Sequence, residues 1–482
     1  MRIPNVLVAL AASGWQILMP NIASAQIGRV VAGPDASATE IRAAYGNASA
    51  PVRRLTFSIS GGFESQSELR VDLAPEYIHI FRSNRDELLD FKLHRHIIIS
   101  GDRQTFANTS IYADVAFRVN EAQNRQYLSK VLGSAGIKPA TAPLVPPLDA
   151  ATQLGLVLPG SATEQIDQTT DRNGTIHFSH EGKELASVHF GSVRLPKSEK
   201  DEFARFLHWG VSLHPQITDA IIGDGRLPDE LSYPEYKGME SKLQTLTLKA
   251  DETVSADYPL PANYSAQPFP NVTGERTVLR SLLPLMLDAV AGHAGGGPRS
   301  AASYRQAIEV ASQKGESLQA MVLILELSLH HGQNALTCAP NAGPACHPLA
   351  DIARSAETDP QGRALLQGLS YKEAKAADAV PLFRSIDRKG LSDPYVIDIF
   401  LANDLGHSKD AEELYASAIR GNPYIVGFYK DFGDYWFNEY DMWDAWLLYD
   451  LARDLPDARD TPVLDAVDTL EHRLTTDFPQ FF

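Results

Sequence analysis

The 482-residue chain is poor in cysteine, in positive charge, in long apolar runs and in the short motifs of familiar enzymes. Two cysteines, Cys338 and Cys346, are too few for a disulfide-built scaffold or a cysteine-rich zinc site. Forty-three basic residues stand against 60 acidic ones, which argues against nucleic acid and anionic membrane surfaces as partners. Past residue 25 no apolar run approaches the length that crosses a bilayer, so no membrane span is expected there. There is no Gly-x-Ser-x-Gly elbow, no His-Glu-x-x-His and no glycine-rich phosphate loop opening a helix. The nearest approach, Gly133-Ser134-Ala135-Gly136, lacks the elbow spacing. No catalytic residue, cofactor or metal site is therefore assigned, although an enzyme without such motifs stays open as an alternative.

What is present begins with an export signal. Met1-Arg2 is a short basic start, Val6 to Met19 is mostly apolar, and Ala23-Ser24-Ala25 supplies small residues for cleavage. Residues 1–25 are expected to be a secretory signal removed before Gln26, which places the chain in the periplasm or outside the cell. In such a compartment Cys338 and Cys346, with seven residues between them in a Pro/Gly-rich loop, are expected to form a disulfide. So short a closure contributes about 2–3 kcal/mol. At 44% hydrophobic the chain has ample apolar content for two or three domains with real cores.

The pattern then divides into an α+β order. Residues 26–51 are rich in Ala, Gly and Ser and read as a flexible segment, with a short helix possible from Thr39 to Tyr45. From 52 to 256 antiparallel strands dominate, with a few helices. Leu69, Val71 and Leu73 alternate, Tyr77 to Phe81 is β-branched and aromatic, and Leu89, Phe91 and Leu93 alternate before Ile97-Ile98-Ile99. Asn120 to Leu132 reads as a helix capped by Asn120, with Tyr127, Leu128 and Val131 on one face. Asn173-Gly174 and Glu181-Gly182 mark hairpin turns. A helix starts at Ser198, presents Phe203, Phe206, Leu207 and Val211, and stops at Pro215. Residues 257–299 form a Pro/Gly-rich linker, extended from 257 to 274 and helical from Arg276 to Ala291. From 300 to 482 helical hairpins follow, at 301–313, 316–331, 347–357, 361–374, 376–388, 394–405, 408–420, 424–438, 441–454 and 461–475.

A 34-residue register runs through the last of these. Tyr429, Phe432, Gly433 and Trp436 precede Ala445, Tyr449, Ala452 and Pro456. One period earlier stand Ala411, Tyr415 and Ala418, followed by Pro423. The segment 392–457 resembles the tetratricopeptide repeat, and 300–391 fits it only with insertions or deletions. In the preceding unit Asp398, Ile399 and Ala402 depart from the usual large, glycine and aromatic residues. The resemblance implies an α-helical solenoid in which Gly433 and Ala445 let helices touch while Trp436 and Tyr449 fill the gaps. It also implies a concave groove lined by Val396, Phe400 and Asn403 in one unit and by Lys430, Asp434, Phe437 and Asn438 in the next.

Histidines complete the inventory. His94 and His96, two apart, are expected on the polar, solvated face of one strand, with His177, His180 and His189 further on. His330-His331 ends an apolar helix, where cationic rings suit the dipole. The expected function is that of an exported soluble adaptor or scaffold in the cell envelope, binding a protein or peptide in the helical groove. The alternative from another class is a periplasmic carrier holding a lipid or other hydrophobic ligand in the strand-rich domain.

Overall fold

In the computed structural model the described residues are 33–46, 49–63, 67–82, 85–136, 156–159, 166–180, 182–237, 240–267, 277–295, 297–332, 349–371, 376–406, 408–456, 458 and 461–482. The expected signal peptide at 1–25 and the Cys338–Cys346 pair lie outside them. An antiparallel-rich sheet domain comes first and a series of helices follows, the α+β order that the alternating and helical periodicities imply. Two compact units result: Arg29–Asn271 with Glu471–Phe482, and Val272–Leu470.

The sheet unit opens with helix α1 (Ala38–Ala43), closed by a Ser37–Glu40 capping box. Its strands are β1 (Ala50–Gly61), β2 (Glu68–Leu73), β3 (Tyr77–Phe81), β4 (Asp86–Asp90), β5 (Arg95–Ser100), β6 (Thr105–Ser110), β7 (Asp167–Thr170), β8 (Ile176–His180), β9 (Lys183–Arg194), β10 (Arg226–Lys237), β11 (Glu240–Ala256) and β12 (Ser265–Gln267). Helix α2 (Ile111–Ser134) follows β6, while α3 (Lys200–Phe206), a π-helical turn (Leu207–Val211) and α4 (Pro215–Asp224) follow β9. The strand order is β12-β6-β5-β4-β3-β2-β1-β11-β10-β9-β8-β7, with β12 joining β6 in parallel. Alternation decides what each face meets. Val52, Leu88, Ile97, Ile99 and Phe106 pack with Ala38 and Ile41 of the α1 helix, and Phe57, of opposite parity to Val52, stacks on Phe206.

Several expectations for this unit change. Helix α2 starts at Ile111, capped by Ser110 rather than Asn120. Its packed half is N-terminal (Ile111, Tyr112, Val115, Ala116), so Tyr127 and Val131 stand 71% and 45% exposed. Pro215 opens α4 instead of merely ending its predecessor, because the first turn of a helix needs no N–H from that position. The alternation at Leu89, Phe91 and Leu93 crosses a turn, since β4 ends at Asp90. Part of the expected linker is built into the sheet unit: Tyr258 and Leu260 are buried, their carbonyls accept from Arg42, and 265–267 is β12.

The helical unit contains α5 (Thr277–Val290), α6 (Ala301–Gln313), α7 (Ser317–His331), α8 (Leu349–Ala356), α9 (Pro360–Ser370), α10 (Ala376–Arg384), α11 (Tyr395–Leu405), α12 (Lys409–Gly421), α13 (Val426–Asn438) and α14 (Met442–Asp454), and α15 (Asp465–Asp477) leads out of it. Glycine brings partners close: a Cβ on Gly433 would overlap the Tyr449 ring, and one on Gly421 would overlap Tyr395. Helix α7 is apolar on every side and therefore must be enclosed. Ala320 through Leu327 are all buried, Glu326 meets Tyr395 of α11, and Leu329 lies against Gly427 of α13. Such contacts between distant hairpins go beyond the neighbour-only packing of a simple solenoid.

Candidate functional site

The seven groove residues separate into two groups. Val396 is fully buried on α11, whose N-terminal Tyr395 is pinned to α7, so it packs the interior. Phe400 stacks on Phe383 at 6.4 Å and Phe437 lies 6.0 Å from Trp446, both rings half-buried. Asn438, also half-buried, ends α13. The other three belong to one polar network. Asn403 donates to Asp431 at 3.1 Å and accepts from the Tyr415 hydroxyl at 2.5 Å. Lys430 lies 2.6 Å from Asp434 and 3.4 Å from Asp431, and Asp434 accepts from Tyr449. Burial opposes the Lys430 charge, yet the two carboxylates hold its pKa well above the ordinary lysine range. Nearby Asp404 is pushed up to about 7 by burial. The network ties α11, α12, α13 and α14 together, with the cation already neutralised.

A cleft of about 820 Å³ offers more room. It is walled by Ser303 and Gln306 of α6, Gln319 and Leu323 of α7, and the loop from Asp387 to Ser392. Side-chain amides fix that loop. Gln319 donates to Ser392 Oγ at 2.7 Å and accepts from the Ser392 N–H at 2.8 Å, while Gln361 accepts from the Asp387 N–H. The wall is thus held by side chains on separate helices, which leaves its shape set before any occupant arrives.

At the cleft margin Arg299 marks a buried polar centre. Glu326 is fully enclosed in the middle of α7, and its Oε1 accepts from Tyr304 at 2.9 Å, Asn422 at 3.0 Å and Tyr395 at 3.1 Å. Its Oε2 has no hydrogen bond and faces Arg299 at 3.8 Å. Arg299 also lies 3.7 Å from Asp393, which Ser392 and Tyr395 cap. Burial pushes Glu326 up to about 7, with the Asp393 charge adding to the rise and the tyrosine and arginine opposing it. One turn on, His330 is completely buried with both ring nitrogens unpartnered, and burial beside His331 pushes it down to about 3. It is a neutral ring, which replaces the expected cationic contact with the helix dipole. His331 instead reaches the Arg299 carbonyl.

The strand histidines are also relocated. His94 is in the turn before β5 at φ 53°, so it does not share a strand face with His96, and it pairs with the Tyr112 hydroxyl. His96 is not solvated: its Nδ1 is 2.9 Å from Asp114 of α2. Exposed His177 and His189 pair with Glu184 and Asp229. Among the described residues no group of three acidic, histidine or cysteine side chains is placed to hold a metal ion. No helix there is long and apolar enough to cross a membrane.

The sequence did carry a signal for the buried centre: Glu326 interrupts an otherwise apolar stretch from Ala320 to Leu327, where a charge has no solvent-facing side available. No protein-family model, curated protein or solved structure significantly matches this chain.

Proposed function

We propose that the chain is an exported adaptor of the cell envelope whose helical unit seats a segment of a partner protein. The observation that carries this reading is the amide-pinned cleft with mixed polar and apolar walls. A segment lying there meets Ser303, Gln306 and exposed backbone near Gly315 and Gly390, the donors and acceptors that an extended peptide requires. Resemblance of 392–457 to the tetratricopeptide repeat supports a protein partner, and the Gly433–Tyr449 packing is the interlocking that this resemblance implies. Family likeness does not by itself set function, so the cleft geometry bears the weight.

The test places a photo-crosslinking residue at exposed Gln306 in the full chain, with Lys249 of β11 as the control position. A defined protein species is expected from position 306, lost when Ala307→Trp fills the cleft. Stoichiometric lipid recovered with the chain, and no protein crosslink at 306, would overturn the adaptor reading in favour of a hydrophobic-ligand carrier.

A further inference from the structure

The sheet unit holds a second cluster of unsatisfied polar atoms. It gathers around Arg118 of α2, the π-helical turn after α3 and the last residues of the chain. His96 uses Nδ1 on Asp114, while its Nε2 is buried without a hydrogen-bond partner. Trp209 Nε1 and His208 Nδ1 are likewise buried and unpartnered, in residues only 9% and 4% exposed. An indole N–H is a donor and nothing else, so burial without an acceptor leaves its desolvation cost unreturned. Arg118 makes only long bonds to the His208 carbonyl (3.5 Å) and Ser212 Oγ (3.3 Å), with its guanidinium 5.2 Å from the Trp209 ring. Backbone strain concentrates at the same place. Five residues adopt the rare π geometry, and the turn ends on Ser212 in the left-handed region at φ 59°.

A ring from the chain's own tail fills the centre. Phe481 is fully buried, edge-on to Trp209 at 5.4 Å, 5.4 Å from Arg118 and 5.7 Å from His208. Phe482 flanks it against Tyr112 and His94. The slot is thus an aromatic site bordered by donors. Asp114 is matched by His96, which leaves the Arg118 charge as the surplus.

We propose that this slot is a binding pocket for a small aromatic carboxylate, with Phe481 standing where the ligand's ring goes. The ligand's carboxylate would accept from the Trp209 indole and from Arg118, and its ring would take the edge-on position against Trp209. The tail is then a plug that a ligand must displace.

Calorimetric titration of the full chain with phenylacetate tests this. Phe481→Ala is expected to bind phenylacetate saturably, one per chain, at least tenfold more tightly than the wild type. Adding Arg118→Met to it should weaken binding at least tenfold, with Arg118→Lys intermediate. Acetate, which lacks the ring, and benzyl alcohol, which lacks the charge, should each bind at least tenfold more weakly. A Phe481→Ala chain that unfolds cooperatively yet takes up no phenylacetate would overturn the proposal, as would benzyl alcohol binding equally well. Should Phe481→Ala not fold, the wild type is titrated with millimolar 4-fluorophenylacetate and followed by fluorine NMR. Line broadening suppressed by Arg118→Met is expected, and its absence means that water alone serves these atoms.

Discussion

Asp90 in the sheet unit and Glu326 in the helical unit are both fully buried carboxylates surrounded by tyrosine hydroxyls, yet they are built differently. Asp90 shares its donors between its oxygens: Tyr45 and the Leu93 N–H reach Oδ1, and Tyr258 reaches Oδ2. The rings that donate also pack, with Tyr45 and Tyr258 stacked at 4.1 Å. Glu326 crowds three donors onto one oxygen and leaves the other facing a guanidinium too distant for a hydrogen bond. The first arrangement is complete and fixes β4 and α1 to the 258–260 segment. The second is incomplete and adjoins a cleft through Arg299. A satisfied buried carboxylate specifies a core, whereas a half-satisfied one beside an opening leaves interaction energy for an occupant to change.

The largest effect that follows is on the complete site. Asp90→Ala strands two tyrosine hydroxyls and a backbone N–H in the core, and should cost about 3–5 kcal/mol in urea unfolding. A loss below about 1 kcal/mol would erase the distinction between the two carboxylates. Glu326 is expected to reveal itself through pH. Its folded pKa of about 7 stands above the unfolded value of 4.5, so the folded chain binds the extra proton. The stability it contributes is fully present below pH 4.5 and is lost as pH rises through 7. Relative to Glu326→Gln, the wild type should therefore lose up to roughly 3 kcal/mol between those limits. Parallel stability-versus-pH curves for the two chains would show the carboxyl to be ionised and fully paired instead. Gly433→Ala comes next. Its new methyl meets the buried Tyr449 ring, and overpacking of this kind costs about 1–3 kcal/mol, read as a lower denaturation midpoint for the helical unit.

What the sequence reveals differs between the units for a physical reason. Helices announce themselves locally: 301–313 is expected and Ala301–Gln313 is found, because Ser300 caps it and the Lys314-Gly315 turn ends it. The same holds at 408–420 against Lys409–Gly421, with Ser408 as cap. Hairpin turns at Asn173-Gly174 and Gly182 are legible because glycine there takes positive φ. Proline is ambiguous, since Pro215 fits a stop and a start equally, and α4 is missed on that account. The candidate site is harder still. Glu326 meets Asn422 across 96 positions and Tyr395 across 69, distances over which no local period carries information. Only the anomaly of an acid within an apolar helix points toward it. The groove residues show the converse limit, for a helical register places Val396 on a face but does not reveal that α7 lies nearby.

The smallest effect probes whether incompleteness in the helical centre extends to its neighbour. His330 is buried with neither ring nitrogen partnered, and its folded pKa of about 3 lies below the unfolded value of 6.5. The unfolded chain therefore binds the extra proton between those values. The stability that depends on a neutral ring is present above pH 6.5 and is lost as pH falls toward 3, opposite in sign to the Glu326 dependence. His330→Leu removes both unsatisfied nitrogens while keeping an apolar side chain of lesser bulk. Relief of the unpaired polar atoms and loss of packing oppose each other, so near pH 7 the net change should stay within about 1 kcal/mol. Near pH 4 the variant should be the more stable chain, because it has no ring to protonate. Urea unfolding of both chains at the two pH values separates these contributions. If His330→Leu is clearly destabilised at pH 7 and gains nothing at pH 4, the ring has a partner that completes it, and the unsatisfied part of the centre shrinks to Glu326 Oε2 and Arg299.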